Sequence, residues 1–423
     1  MAKKLSSVLG IDIGSQKIKV AEIRSQGKTP VVTALGIIDT PEGAVDHTGV
    51  YNSDAVGVAL KQLLSQAGAS SSAAVVSIAG QASVLVRTVE VPRMNPQELR
   101  DHMQWEINRN IPFAESTVVS DFKALPDEDP NSANMDVVMA MAPQSAIDTM
   151  IACVKKAGRL MGAIDVEPLG LARSLQAGYD SEFSGQTICL VDVGHKTTAI
   201  NIYKDGKLLM PRQVPIGGEM FTNALQNALA ISSEDAEQLK QTVELPEPSD
   251  SVLPTFGAPG STAEFQPYNP FAEDPSPAAA TTTDGGASIY DYGTPVPNPF
   301  ENAEDAPIAP LAPVEPEAPI ANADPKVAAL IPVVEEFVAE VRRSIDYFKS
   351  RGGDVNRVLI CGGGSKLKGL VRYMTKSLGV HTEFLDPMKG VTVNARKVAP
   401  GYLDEHREEF AVAVGNGLHI FFD

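Results

Sequence analysis

Two stretches of this chain share one layout, and the repetition constrains the fold more than any other feature. Val8-Leu9-Gly10-Ile11 runs into Asp12-Ile13-Gly14-Ser15-Gln16-Lys17. Ile188-Cys189-Leu190-Val191 runs into Asp192-Val193-Gly194-His195-Lys196-Thr197-Thr198. Each is an apolar, strand-length run, an Asp-x-Gly turn, and a second apolar strand. Each second strand ends at a glycine turn, Gln26-Gly27-Lys28 or Asp205-Gly206-Lys207. One such turn is an ordinary hairpin. Two copies 180 positions apart point to a duplicated domain with a ligand between its halves.

The residue types suit phosphate. Gly14 and Gly194 allow a sharp turn that brings backbone N–H groups close to an anion. Ser15, Gln16, Thr197 and Thr198 can add polar donors, and Lys17 a point charge. Asp12 and Asp192 precede the turns, where each carboxylate could hold water on Mg²⁺, an ion that keeps several waters and takes one or two carboxylates. His195 reads equally as a phosphate contact or a solvated turn residue.

A third element is Val358-Leu359-Ile360-Cys361-Gly362-Gly363-Gly364-Ser365. An apolar strand enters three glycines, and a helix is expected from Leu367 to Leu378. Such a turn lets backbone lie flat against a nucleoside, with helix N–H groups facing phosphate. Glu167-Pro168 opens a small-residue helix, Leu169 to Leu175. Gly217-Gly218 opens another, Glu219 to Ala230.

Between these motifs strand and helix patterns alternate, which argues an α/β fold. The periodicity predicts a helix from Asp54 to Ala67, capped by Asp54, and a strand from Ala74 to Ala79. A block over 87–162 reads as an inserted α+β unit. It has a strand from Val84 to Val91 and a helix opened by the cap Asn95-Pro96-Gln97-Glu98. A strand from Asp136 to Ala142 and a second helix carrying Ile147, Ile151 and Val154 complete it. Trp105, the only tryptophan, reads as a partner anchor or as half-buried packing.

Composition narrows the partners. The 423 residues carry a net charge of −18, which disfavours nucleic acid and direct docking on an anionic membrane. From Leu245 to Pro325 there is no Lys or Arg. That segment holds more than half of the 31 prolines, and residues 247–324 hold 13 acidic side chains. It reads as a disordered acidic loop or tether for a basic partner. Asn269-Pro270-Phe271 and Asn298-Pro299-Phe300 within it are either a repeated docking motif or low-complexity drift. Cys153, Cys189 and Cys361 stand alone and read as buried thiols in a reducing compartment. No apolar stretch reaches membrane-spanning length, so a cytoplasmic protein is expected, held at a membrane only through partners.

This set resembles the actin/Hsp70/sugar-kinase superfamily. Asp12-Ile13-Gly14 and Asp192-Val193-Gly194 resemble its two phosphate motifs, Val358 to Ser365 its adenosine motif, and Glu167-Pro168 its first connecting helix. The resemblance implies an actin-like (RNase H-like) duplicated fold with two large lobes, binding ATP and Mg²⁺. Ala236-Glu237-Gln238-Leu239-Lys240 and Arg342-Arg343 match two adenosine-clasping helices, which adds Glu237, Lys240 and Arg343 to the site. The subdomains implied are 1A at 6–86 with 163–182 and 396–423, and 1C at 87–162. Subdomain 2A is 183–225 with 353–395, and 2B is 226–352, interrupted by the loop at 245–325.

Within the superfamily, Val89-Glu90-Val91-Pro92, Ile164 to Arg173, Gln213 to Gly218 and Val341 to Phe348 are similar to the PilM family of type IV pilus assembly. That similarity implies an ATP-binding scaffold, peripheral at the inner membrane, gripping the cytoplasmic N-terminal peptide of a PilN-like protein. The groove would lie between 1A and 1C, with Trp105 and Ile111-Pro112-Phe113 part of it. Pilus motor ATPases and self-association are further partners the family implies. His195-Lys196 departs from the family's small hydroxyl residues, so at most slow ATP hydrolysis is expected. An FtsA-like division protein and a small-molecule kinase on the same fold are the alternatives. The chain end shows no basic amphipathic tail for the first, and no general-base motif is evident for the second.

Overall fold

A computed structural model describes residues 5–80, 83–113, 117–125, 132–248 and 324–422. The first lobe opens with β1 (Ser7–Ile13), β2 (Lys17–Gln26) and β3 (Thr29–Asp39), an antiparallel meander. Helix α1 (Ser53–Ala67) follows, then β4 (Ala73–Ile78), parallel to β1 and buried along its whole length. The cap of α1 is Asn52, whose side chain accepts from the Ala55 N–H, rather than the expected Asp54. Asp54 sits in the first turn and pairs with Lys156.

The inserted unit comprises β5 (Leu85–Pro92), α2 (Pro96–Arg109), β6 (Val118–Ala124) and β7 (Asn134–Pro143). Its sheet order is β5-β7-β6. The α2 cap is the reciprocal box read from sequence, with Asn95 accepting from Gln97 and Glu98 N–H and Glu98 accepting from Asn95 N–H. Leu99, Met103 and Ile107 bury against Val137, Met139 and Met141. The second helix expected in this unit, α3 (Gln144–Lys156), goes elsewhere. Met150, Cys153 and Val154 join the first-lobe core with Leu60 and Leu64 of α1. Of the face expected from sequence, Val154 is buried and Ile147 partly so, but Ile151 is exposed, because the helix turns Met150 and Cys153 toward α1 instead.

β8 (Leu160–Val166) pairs with β4 and completes a six-stranded sheet, and α4 (Glu167–Tyr179) then leads to the second lobe. There β9 (Thr187–Val193), β10 (Thr198–Lys204) and β11 (Lys207–Val214) repeat the opening meander. Helices α5 (Gly218–Leu229), α6 (Ser233–Lys240) and α7 (Pro325–Ser350) pack on one face through Phe221, Leu225, Phe337 and Val341. β12 (Arg357–Cys361) enters the sheet parallel to β9. After α8 (Leu370–Leu378), β13 (Thr382–Phe384) closes the order β11-β10-β9-β12-β13. The first sheet reads β14-β3-β2-β1-β4-β8, with β14 at Thr392–Val393. The two lobes therefore share one topology, a meander extended by parallel strands.

The acidic segment falls mostly outside the described residues. At its edges, Leu245 is buried in the second-lobe core and Pro325 begins α7, so the loop starts later than expected. The chain closes with α9 (Tyr402–His406), α10 (Ala411–Gly417) and α11 (His419–Phe422). α10 crosses α4 at backbone contact. A Cβ on Gly415 would stand 1.8 Å from the Gly170 carbonyl oxygen, so no other residue fits there.

Candidate functional site

The two Asp-x-Gly turns come from different lobes and face one cavity of about 680 Å³. In the first, Gly14 N–H donates to Lys17 carbonyl at 3.1 Å. In the second, Gly194 N–H donates to Thr197 carbonyl at 2.9 Å. Neither glycine has a positive φ; their smallness matters instead. A Cβ on Gly194 would lie 2.7 Å from Thr197 carbonyl oxygen. The glycine-rich turn after β12 completes the wall. Gly362 does adopt a left-handed φ of 83°, and a Cβ there would meet Asp192 Oδ1 at 2.2 Å. The helix expected from Leu367 begins later. A 3₁₀ turn, Gly363–Lys366, comes first, and Gly369 precedes α8.

Three carboxylates converge from three elements: Asp12 at the end of β1, Glu167 at the start of α4, and Asp192 at the end of β9. Burial, then the charges of Asp192 and Asp12, push the Glu167 carboxyl well above its ordinary value. Burial and the Asp12 charge raise Asp192 to about 6. Lys19 opposes both shifts. Its ammonium lies 2.9 Å from Asp12 Oδ2, and that partner raises its pKa despite burial. Such repulsion is relieved by a bound cation. Among the described residues no three of these groups close around one point. The carboxylates therefore fit a hydrated cation reached through water better than a stripped one.

Most residues singled out from sequence line this cavity. Ser15, Gln16 and Lys17 do so from the first turn, His195 and Thr197 from the second. Gly218, Gly362, Gly363 and Gly364 line it through backbone. His195 is held below its ordinary pKa by burial, against the pull of Glu219 at 3.6 Å. Beside it in the second lobe, Lys240 donates to Glu237 at 2.6 Å and Thr222 at 2.9 Å. Burial disfavours ionised Glu237, but the Lys240 and Thr222 hydrogen bonds outweigh it and lower its pKa.

Five expected residues do not line the cavity. Thr198 is buried in β10 and donates to Ile216 carbonyl, and Ser365 is buried and donates to Gly362 carbonyl. Lys196 lies 4.0 Å from Glu219, and Gly217 supports the turn from behind His195. Arg343, expected to clasp the adenosine, is largely exposed and pairs with Glu340 at 2.6 Å. Glu340 is also bound by Arg212 of β11, which holds the pair on the sheet side of α7. Sequence reasoning missed Lys19, Asp46, His47, Lys366, His406 and Glu409, all of which line the cavity. Lys19 had a usable signal, because a tight hairpin places it directly across from Asp12.

Trp105 is not buried in the core, and a little under half of it is covered. Its side chain is 55% exposed on α2, with the Arg109 guanidinium 5.3 Å from the ring centroid. The three cysteines are buried free thiols. Among the described residues no helix is long and apolar enough to cross a membrane.

Two lobes of one topology, with paired phosphate-type turns facing a shared cleft, define an actin-like protein. A family profile described as type IV pilus assembly protein PilM matches residues 10–258, more than half of the chain. The chain belongs to the PilM family. A profile for cell division protein FtsA matches residues 189–415, so the two matches overlap over 189–258. Among curated proteins, FtsA of Pseudomonas aeruginosa is 25% identical over 258 residues, 55% of this chain and 60% of that one. FtsA of Bacillus subtilis is 31% identical over 98 residues, 23% of this chain and 22% of that one. The chain thus spans less than two thirds of the curated relatives it matches. A solved PilM-PilN type IV pilus biogenesis complex superposes with a TM-score of 0.72 at 23% identity, covering 99% of each chain.

Proposed function

We propose that this chain is an ATP-binding scaffold of type IV pilus assembly, and that its inserted unit receives the cytoplasmic N-terminal peptide of a PilN-like membrane protein. The observation that carries the nucleotide half is the convergence of both Asp-x-Gly turns and the glycine turn on one cavity, with three carboxyl groups that Lys19 alone compensates in part. In this reading backbone N–H groups of the turns and Lys17 face the phosphates. Asp12 and Asp192 hold Mg²⁺ through water, and Glu237 and Lys240 border the nucleoside. Mg²⁺ would supply the positive charge that the three carboxylates lack. The peptide half is supported by family membership and by the exposed Trp105 and Ile111 on the inserted unit. The protein would be held at the inner membrane by that peptide rather than by insertion.

The test is equilibrium binding of a labelled PilN-type N-terminal peptide to the full chain with Mg-ATP. Saturable binding lost in Trp105→Ala would establish the scaffold reading. Absence of binding in folded, ATP-loaded protein would remove the peptide assignment. Loss of ATP binding in Asp12→Ala/Asp192→Ala, with the fold intact, checks the nucleotide site separately.

A further inference from the structure

The floor of the cleft carries charged side chains that the phosphate turns do not use. They lie on 405–409, a segment of the first lobe, because Phe410 and Tyr402 beside it pack with Ala21, Ile23 and Leu35 of the first sheet. This segment is gripped from the second lobe in three ways. Gly362 N–H donates to Glu408 carbonyl at 2.9 Å. The Lys366 ammonium, just past the glycine turn, donates to the Glu405 carbonyl and to Glu409 Oε1. Arg407 Nη1 donates to Asp386 Oδ2, next to β13, at 2.8 Å.

The Lys366–Glu409 pair is not an ordinary surface pair. The Glu409 side chain is only 5% exposed, and the same oxygen lies 2.8 Å from His406 Nδ1. A buried carboxylate with its cation removed is left uncompensated, and such losses are costly. Lys366, His406 and Glu409 all line the nucleotide cavity, so opening the lobes there means separating these charges. Two-lobed proteins close around ligands by hinge motion, and interlobe contacts set the balance between open and closed forms.

We propose that the Lys366–Glu409 pair, with Arg407–Asp386 beside it, is an interlobe clasp that limits opening of the cleft and so slows escape of a bound nucleotide. The second clause rests on the nucleotide reading above; the first does not. Lys366 thus acts on the ligand through lobe position, as a positioning residue.

Single-molecule energy transfer between labels at Gln62→Cys and Glu234→Cys tests the clasp in the full chain. Both positions are exposed on opposite lobes, and the three native thiols are buried. Without nucleotide, Lys366→Met and Glu409→Gln should each shift and broaden the distance distribution outward, and Lys366→Arg should restore it. Asp386→Asn, at a more exposed pair, should give a smaller shift in the same direction and serves if the buried variants fold poorly. With a fluorescent ATP analogue, Lys366→Met should raise the dissociation rate about tenfold, well below the full effect of breaking a buried pair because the Lys366 side chain is a third exposed. An unchanged distance distribution in folded variants would overturn the clasp. Failure of the wild-type chain to bind the analogue would instead overturn the nucleotide reading, with the distance measurement still deciding the clasp.

Discussion

Replacing Asp192 with Asn should make the metal- and nucleotide-free protein more stable while destroying its ligand binding. Burial and the Asp12 charge, opposed by Lys19, raise the folded pKa of Asp192 from 3.8 to about 6. A raised acid pKa means that ionisation opposes folding. The penalty is absent below the unfolded value near 4, grows through the interval to about 6, and is complete above it. At pH 7 its upper limit is about 3 kcal/mol, from the free energy equivalent of a two-unit shift. Solvent reaching the cleft reduces that, so a gain of about 1–2 kcal/mol is expected. The assay is urea unfolding in EDTA at pH 7.5 and at pH 4.5, compared with wild type. The gain should appear at pH 7.5 and shrink at pH 4.5, and Mg-ATP should stabilise the wild type but not the variant. A variant less stable than wild type at pH 7.5, or a gain independent of pH, would refute the electrostatic reasoning.

Three further outcomes follow from other parts of the fold. Glu22 is 2% exposed and accepts from Ser71 N–H at 2.7 Å and Thr33 Oγ1 at 2.6 Å; burial opposes its charge, but these bonds win and bring its pKa to about 2. It should add stability above pH 4.5 that is lost as pH falls toward 2, and Glu22→Gln should cost about 2 kcal/mol at pH 7 by urea unfolding, with the loss shrinking at low pH. Gly415→Ala should cost about 3 kcal/mol, at the upper end of overpacking penalties, because the neighbour at 1.8 Å is backbone and cannot rotate away; thermal unfolding would read it. Tyr203→Phe removes the hydroxyl that donates to Pro168 carbonyl at 2.7 Å beside Glu167, and should lower stability by about 1 kcal/mol in chemical denaturation.

The duplication was legible because the physics that makes a hairpin is local. Apolar alternation, an Asp-x-Gly turn and a closing glycine all lie within one short window, so β1–β2 and β9–β10 could be read directly. The α2 cap was legible for the same reason, since Asn95, Pro96 and Glu98 act within one turn. What failed depended on distant partners. Helix α3 turns Met150 and Cys153, rather than Ile151, inward because it packs on α1. Arg343 looks like a ligand residue until Glu340, one turn earlier, is seen to hold it. Lys366, His406 and Glu409 carry no motif, because Lys366 lies 40 residues before His406 and 43 before Glu409 and meets them only when the lobes fold against each other.

The two halves share a topology but not a charge pattern, and the difference has a physical consequence. In the first hairpin the residue opposite the aspartate is Lys19, so Asp12 carries its own counterion. In the second it is Ala199, and Asp192 faces the glycine turn and the Cys361 thiol instead. The carboxyls whose ionisation is least compensated are therefore Asp192 and Glu167, both held toward the neutral form, one on each side of the lobe junction. A cation drawn there would attract both lobes at once, whereas a cation at Asp12 would compete with Lys19. Symmetric architecture with asymmetric charge thus favours binding between the lobes over binding within either one. It makes closure of the cleft, rather than either hairpin alone, the state that a magnesium-bound nucleotide would stabilise.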